Sequence, residues 1–364
     1  MTKVYHTLRA SLRRLAASAL CAFACAAVPG LASAADQPLT TEAAQAFWKG
    51  DFDTLEKLNN RLKRGKHFAP DAGSELEYFR LGLGKVPQSV ADHNEPYLRE
   101  LEALTLQWAA EHPKSSLAHI LHAEVLVQHA WSYRGGGYAK DVPPEAWKDF
   151  RKYLERAVEY LKAHADVALT DSSAHALLLR IGTGLSWDRD TLWTIQQEGL
   201  KRNPDDVMLY FGMLTPLLPK WGGDPETLDR YIREAAKETQ ADYGMGMYAR
   251  LYAVAADENF GHALFEDSLV DWPTMKKGYE DMQARFPNSL GRRNHFAHMA
   301  CLAKDRPTLV ALLAELGTNI DASQWGPNPQ RSLEACQRWA KESPDESKDE
   351  KKPAKKVRAS PASL

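Results

Sequence analysis

Cysteine is scarce in this chain. Of its 364 residues four are Cys, and Cys21 and Cys25 stand near the N-terminus. So few cysteines exclude a disulfide-built scaffold, and no Cys-x-x-Cys is present to seed a zinc or redox site. Also missing are a His-Glu-x-x-His, a Gly-x-Ser-x-Gly elbow and a Gly-x-x-x-x-Gly-Lys-Ser/Thr loop, so three common routes to hydrolysis or nucleotide binding are closed. The longest apolar run, Leu15 to Val28, is too short for a bilayer span. Positive charge is not in excess. With 46 Lys and Arg against 48 Asp and Glu the net charge is −2, which suits neither general nucleic-acid binding nor anionic lipid. Alternating β-branched runs are lacking, so strands are not expected.

What is present begins with a leader. Lys3, Arg9, Arg13 and Arg14 precede the apolar run, Pro29-Gly30 ends it, and Ala32-Ser33-Ala34 is a small-x-small cleavage site. Residues 1–34 thus read as a secretory signal peptide cut near Ala34, which predicts a periplasmic or secreted protein. Its removal brings the net charge near −6. Cys301 and Cys336 remain. In an exported chain they are read as one disulfide, with two buried free thiols as the alternative.

Residues 35–341 read as one α-helical domain. Helices are expected at 95–111, 115–132, 144–165, 173–185, 189–202, 205–215, 225–240, 243–256, 272–285, 289–303, 306–316 and 329–341. An N-terminal antiparallel pair breaks at Gly50-Asp51, and a weakly patterned stretch covers 65–92. Residues 342–364, with dense mixed charge and three prolines, read as a disordered tail.

Two segments echo each other. WSYRGGGYAKDVPPEAW at 131–147 and PKWGGDPETLDRYIREAA at 219–236 share a glycine pair and then Pro-Glu before an amphipathic helix. His112-Pro113 and Asn203-Pro204 precede them, and Phe286-Pro287-Asn288 adds a third proline anchor. Gly135, Gly136, Gly222 and Gly223 are read as turn glycines that stop one helix before the next begins. The sum is a tetratricopeptide-like, irregular array of antiparallel helix pairs. The segments HAWSYRGGGYAKDVPPEAWKDFRKYLERA, LLPKWGGDPETLDRYIREAA and NHFAHMACLAKDR resemble a bacterial family catalogued only as a domain of unknown function, DUF 4034, over about residues 93–318. That resemblance implies a helical-repeat fold, often exported. It implies no reaction and no site residue.

Chemistry is sparse. His119 and His122, with Glu124 and His129 beyond, and His295 and His298, with Cys301 beyond, have the i, i+3 spacing that two metal ligands on one helix face need. Neither pair has a third ligand in sequence, so no metal and no cofactor is assigned. Asp188/Asp190 and Asp205/Asp206 sit at helix starts, where carboxylates stabilise the helix end. Trp131, Tyr133, Arg134, Tyr138, Trp187 and Trp221, together with Trp272, fall at helix ends and loops. They form a possible recognition patch for a protein or peptide. The competing reading makes Arg134 a clasp on the carbonyls of its own helix end. The function expected is a non-catalytic binding scaffold. The alternatives are an exported cell-wall hydrolase and a periplasmic protein that binds metal through a His pair.

Overall fold

The computed structural model describes residues 38–71, 73–88, 94–137 and 139–342. The expected signal peptide, the charged tail beyond Glu342 and Tyr138 lie outside the described residues. Within them the chain is all-α, as predicted. The long helices are α1 Pro38–Lys49, α2 Phe52–Leu62, α3 Glu75–Gln88, α4 Glu95–Glu111 and α5 Ser116–Arg134. Next come α6 Ala146–Ala163, α7 Ser172–Gly184, α8 Arg189–Arg202, α9 Val207–Leu214 and α10 Pro225–Glu238. The last are α11 Gly246–Ala255, α12 Trp272–Arg285, α13 Leu290–Leu302, α14 Arg306–Leu316 and α15 Pro329–Lys341. Among the described residues no helix is long and apolar enough to cross a membrane.

The helix starts follow their caps. Asp51, Asp188, Asp224, Asp271 and Asp305 each accept a hydrogen bond from the backbone N–H three residues on, which satisfies one orphan donor of the first turn. The one long helix that the sequence pattern does not reveal is α3. Gly82, Gly84 and Pro87 depress its local propensity. Gly82 is needed for packing: a Cβ there would lie 2.3 Å from the Thr40 carbonyl oxygen of α1. The apposition of α1 and α3 therefore selects the residue that hides the helix in sequence.

Helices pack chiefly on partners one or two places along the chain: α4 on α5, α5 on α6, α7 on α8 and α9, α10 on α11, α11 on α12, α13 on α14. Three large apolar cores result among the described residues, beside a small one of Ala69 and Tyr78. The first gathers Phe47, Leu55, Phe79, Leu101 and Trp108. The second is built on Leu126, Phe150, Leu154 and Ile181. The third runs from Leu179 to Leu333 and Cys336. Helix α5 lends Val125 to the first core and Leu126 to the second, and α7 lends Ile181 to the second and Leu179 to the third. Both helices are buried on more than one face, so their sequences lack a clean polar side.

One polar cluster ties the N-terminal helices to this succession. The Arg80 guanidinium of α3 donates to Asp206 Oδ2 at 2.6 Å and to Asp171 Oδ1 at 3.1 Å. Lys63, at the end of α2, stands 3.4 Å from Asp171. Asp171 and Asp206 are the N-caps of α7 and α9 and are almost wholly buried. Ser116, in the first turn of α5, donates to Asp171 as well. Three helix N-termini thus converge on two carboxylates and two cations. Burial alone would raise the Asp171 carboxyl. The charges of Arg80 and Lys63 and the bonds from Ser173 outweigh it and hold Asp171 well below the usual carboxylate range.

Farther out, the α2–α3 segment and the first turn of α3 reach the opposite half of the chain. Lys66 pairs with Asp242 at 2.7 Å, Glu77 with Arg250 at 3.2 Å, and Phe68 lies edge-on to Tyr243 and Phe286. Toward the C-terminal end Cys301 of α13 and Cys336 of α15 are joined, with Cα atoms 5.9 Å apart and a sequence separation of 35.

Arg80→Met is expected to cost about 3–5 kcal/mol, because it leaves two buried carboxylates short of their counter-ion. Urea unfolding checks this, and a loss below 1 kcal/mol would contradict the account. The Asp171 contribution is present above its ordinary pKa of 3.8 and is lost as the pH falls below that value toward the depressed folded one. The wild type should therefore lose stability below about pH 4, and the variant should lose less over the same interval. For the disulfide, closure of its loop should contribute about 3–4 kcal/mol in the chain-entropy model. Reduction and alkylation followed by thermal melting measures it, and an unchanged midpoint would exclude it.

Candidate functional site

The strongest constellation lies at the C-terminal ends of α5, α7 and α9. Arg134 closes the last turn of α5, and Gly135 follows at φ 66°. The left-handed backbone there turns the chain away, and Arg134 Nη1 donates to the carbonyls of Gly135 and Gly137 at 3.0 and 3.1 Å. The side chain is buried, 8 % exposed. Its guanidinium carbon stands 5.0 Å from the Trp131 ring centre, 5.4 Å from Trp147, 5.6 Å from Trp221 and 6.0 Å from Phe150. The arginine is boxed by aromatic faces, whose quadrupoles favour a cation. Arg134 thus clasps the glycine turn that follows its helix, rather than the carbonyls of the helix's last turn.

Trp221 belongs to the second of the two echoing segments. Its ring meets Trp131 edge-to-face at 6.4 Å, so the two glycine turns are in contact. Gly222 repeats the positive φ of Gly135, at 84° against 66°. The second glycines differ. A Cβ on Gly223 would lie 1.8 Å from the Leu217 carbonyl oxygen, whereas one on Gly136 meets open space. The helix starts differ as well: α10 begins at Pro225 behind the Asp224 cap, but α6 begins at Ala146, after the Pro-Glu, with no side-chain cap.

The proposed patch is only partly assembled. Trp131, Arg134 and Trp221 come together, and Trp147, outside the expected patch, joins them. Trp187 follows α7, half-buried, and packs on the second and third cores. Trp272 is elsewhere, its indole donating to Asp305 at 3.0 Å.

Tyr133 belongs to a neighbouring cluster. Its hydroxyl donates to Glu95 Oε2 at 2.8 Å, and its ring stacks on His129. His129, fully buried, bonds Glu95 Oε2 through Nε2 at 2.6 Å and Glu102 through Nδ1. Arg99 and Arg156 cover the outer sides of these carboxylates. Burial tends to raise Glu95, but the bonds from His129, Arg99 and Tyr133 dominate and bring it down to about 2. A carboxylate so held is a poor general acid.

Three of the other candidate histidines, His119, His122 and His295, are hydrogen-bonded in the same way, whereas both ring nitrogens of His298 are buried without a partner among the described residues. His119 Nε2–H donates to the Pro113 carbonyl, which leaves Nδ1 to accept from the Tyr160 hydroxyl at 2.8 Å. Thr105 gives its one hydroxyl proton to Leu101, so His122 donates to it through Nδ1 at 3.0 Å. His295 pairs with the Tyr279 hydroxyl at 2.7 Å, while His298 packs against Trp325. Cys301 is committed to its disulfide. Among the described residues no group of three or more His, Cys, Asp or Glu is placed to hold a metal ion. Burial lowers His122 to about 4, His295 to about 4 and His298 to about 3.

A separate cleft of about 430 Å³ opens between the α2–α3 segment, the α8–α9 turn and the end of α10. Lys66 crosses it to reach Asp205 and Asp242. Of the paired acids, Asp188 and Asp206 cap helices as expected, and Asp205 enters this ion pair. Sequence reading missed Arg80, Lys63 and Asp171 entirely, since their partners lie about a hundred residues away and leave no periodic signal.

A comparison with protein-family models, curated proteins and solved structures finds no match to this chain. The geometry is therefore the main guide to what the chain does.

Arg134→Ala should lower stability by about 1 kcal/mol or more, through the lost cap and packing. Gly135→Val should cost roughly 1–2 kcal/mol by forcing a β-branched residue to positive φ, with no steric clash to add. Thermal and urea melts measure both. The buried histidines give a pH test. Their folded values lie below the ordinary 6.5, so their contribution is complete above that pH and is lost as the pH falls toward 4. Stability should decline across this window, and His298→Leu should lessen the decline. A flat profile from pH 7 to 4.5 would show that these rings are not buried neutral.

Proposed function

We propose that this chain is an exported, non-catalytic helical-repeat protein that binds another protein or peptide. The observation that carries the reading is the tryptophan edge. Trp131, Trp147, Trp187 and Trp221 are half-buried at the ends of neighbouring helices, and the arginine boxed by three of them has no acidic partner among the described residues. Tryptophan and arginine, partly desolvated and held rigid, are the residues that dominate binding surfaces. The repeat element of the proposal is supported by neighbour-to-neighbour packing and by the recurring glycine turn, the feature that resembles DUF 4034. Export is supported by the basic and apolar leader and by a cysteine pair within bonding distance.

The hydrolase alternative has less support. The carboxylates that meet in space, Glu95 with Glu102 and Asp171 with Asp206, are engaged by His129 or by arginine. The metal alternative has less as well, because both ring nitrogens of His119 are hydrogen-bonded.

The test is site-specific photocrosslinking in the native envelope. A photoreactive residue in place of Trp147 should give discrete adducts. The same residue in place of Leu106, exposed on α4, should not. No adduct at 147, or the same adducts from both positions, would remove the scaffold reading.

A further inference from the structure

The arginine box contains donors that the described chain does not use. Arg134 Nε, Trp131 Nε1 and Trp221 Nε1 are all buried, and none has a hydrogen-bond partner among the described residues. Three N–H groups of one cluster therefore face no acceptor. An unmet buried donor is costly, and a native structure that keeps several together calls for an acceptor from outside.

The charge points the same way. Arg80 and Arg250 are also buried, but each faces a carboxylate: Asp171 and Asp206 for the first, Glu77 for the second. Arg134 has only aromatic faces and two carbonyls. Burial lowers its guanidinium from the usual arginine range, and no carboxylate among the described residues offsets the shift. Gly135, Gly136 and Gly137 are exposed, and a Cβ on any of them would meet nothing within 4 Å.

We infer that Arg134, Trp131 and Trp221 form a receptor for one carboxylate, presented by an acidic side chain of a protein or peptide partner. One buried cation matches one negative charge. Two further arginines stand at the rim of the box, both exposed: Arg151, 5.9 Å from the Trp147 ring centre, and Arg189, which donates to the Gly222 carbonyl at 2.7 Å and faces Asp224. A dianion such as phosphate would need a second buried cation. The indole faces beside the donors give the carbon chain behind a carboxylate an apolar bed. Arginine supplies the charge-assisted bond, and the indole N–H groups supply direction.

This inference rests on reading the tryptophan edge as a binding surface, so its test uses a different observable. The indole N–H resonances of the full-length chain are followed by nitrogen-15 NMR, with Trp131→Phe and Trp221→Phe assigning two of them. Sodium acetate, inorganic phosphate, acetyl-Gly-Glu-Gly-amide and its Gln counterpart are titrated at constant ionic strength. Acetate and the Glu peptide should move both signals saturably, and the Gln peptide should not. Arg134→Met should weaken acetate binding at least tenfold. Trp221→Phe, which keeps an aromatic face but loses the donor, should weaken it a few-fold and leave the Trp131 signal responsive, so the test survives if the arginine variant fails to fold. Shifts that are linear and alike for every salt, or binding unchanged in either variant, would overturn the site. Phosphate binding more tightly than acetate would overturn the assignment to a single carboxylate. A chain that binds acetate but gives no adduct at position 147 keeps this site and loses the scaffold reading, and the converse result does the reverse.

Discussion

Arg80 is the constraint on which the arrangement depends. It comes from the helix that the sequence pattern hides, and it joins two helix caps that are far from it along the chain. Each cap aspartate already serves its own helix N-terminus, where backbone N–H groups favour negative charge. Two such carboxylates, buried side by side, would repel one another. The guanidinium fork between them turns that repulsion into a joint, with Lys63 as a second cation at Asp171. Because Ser116, Asp171 and Asp206 are brought together, α5, α7 and α9 set out from one place, and α7 packs on both of the others.

The far ends of the same helices gather the aromatic residues. Helix carbonyls there attract a cation, and Arg134 provides one on Gly135 and Gly137. The two glycine turns share the left-handed first glycine, yet only the second turn presses its next glycine against a carbonyl. They are alike where the backbone must reverse and unlike where their neighbours differ. Their contact through Trp131 and Trp221 shows that the likeness has a spatial consequence, since the tryptophan of one turn helps to enclose the arginine of the other. Stability and recognition are compatible in such a place. An arginine that clasps the turn after its own helix through one nitrogen can still present other N–H groups to a partner.

Most of the remaining polar chemistry is turned inward. His129 lies between two glutamates, and His119 has both nitrogens occupied. Asp257, in a π-helical turn after α11, has its carboxyl pushed up to about 6 by burial and by the neighbouring Glu258. Buried neutral His119 is sensitive to acid, whereas the raised Asp257 loses stability as the pH climbs. These groups give no pairing of nucleophile, base and open cleft of the kind hydrolysis requires.

The sequence by itself determined the helices and their ends. The expected spans 95–111, 189–202, 272–285, 306–316 and 329–341 coincide with α4, α8, α12, α14 and α15, because caps, prolines and the 3.6-residue period are local. It also marked Gly135 and Gly222, two of the positive-φ glycines, and named Cys301 and Cys336 as a disulfide candidate with free thiols as the alternative. Helix α3 was not legible, since its glycines answer to a neighbouring helix rather than to their own. Nor was the division of the aromatic patch, in which Tyr133 turns to Glu95 and His129 while Trp147 joins Arg134. Helical spacing places a side chain on a face but does not say which distant helix meets it. The ion pairs of Arg80 and the donors left over beside Arg134 were decided only by tertiary structure, because a buried charge is defined by partners that sequence distance conceals.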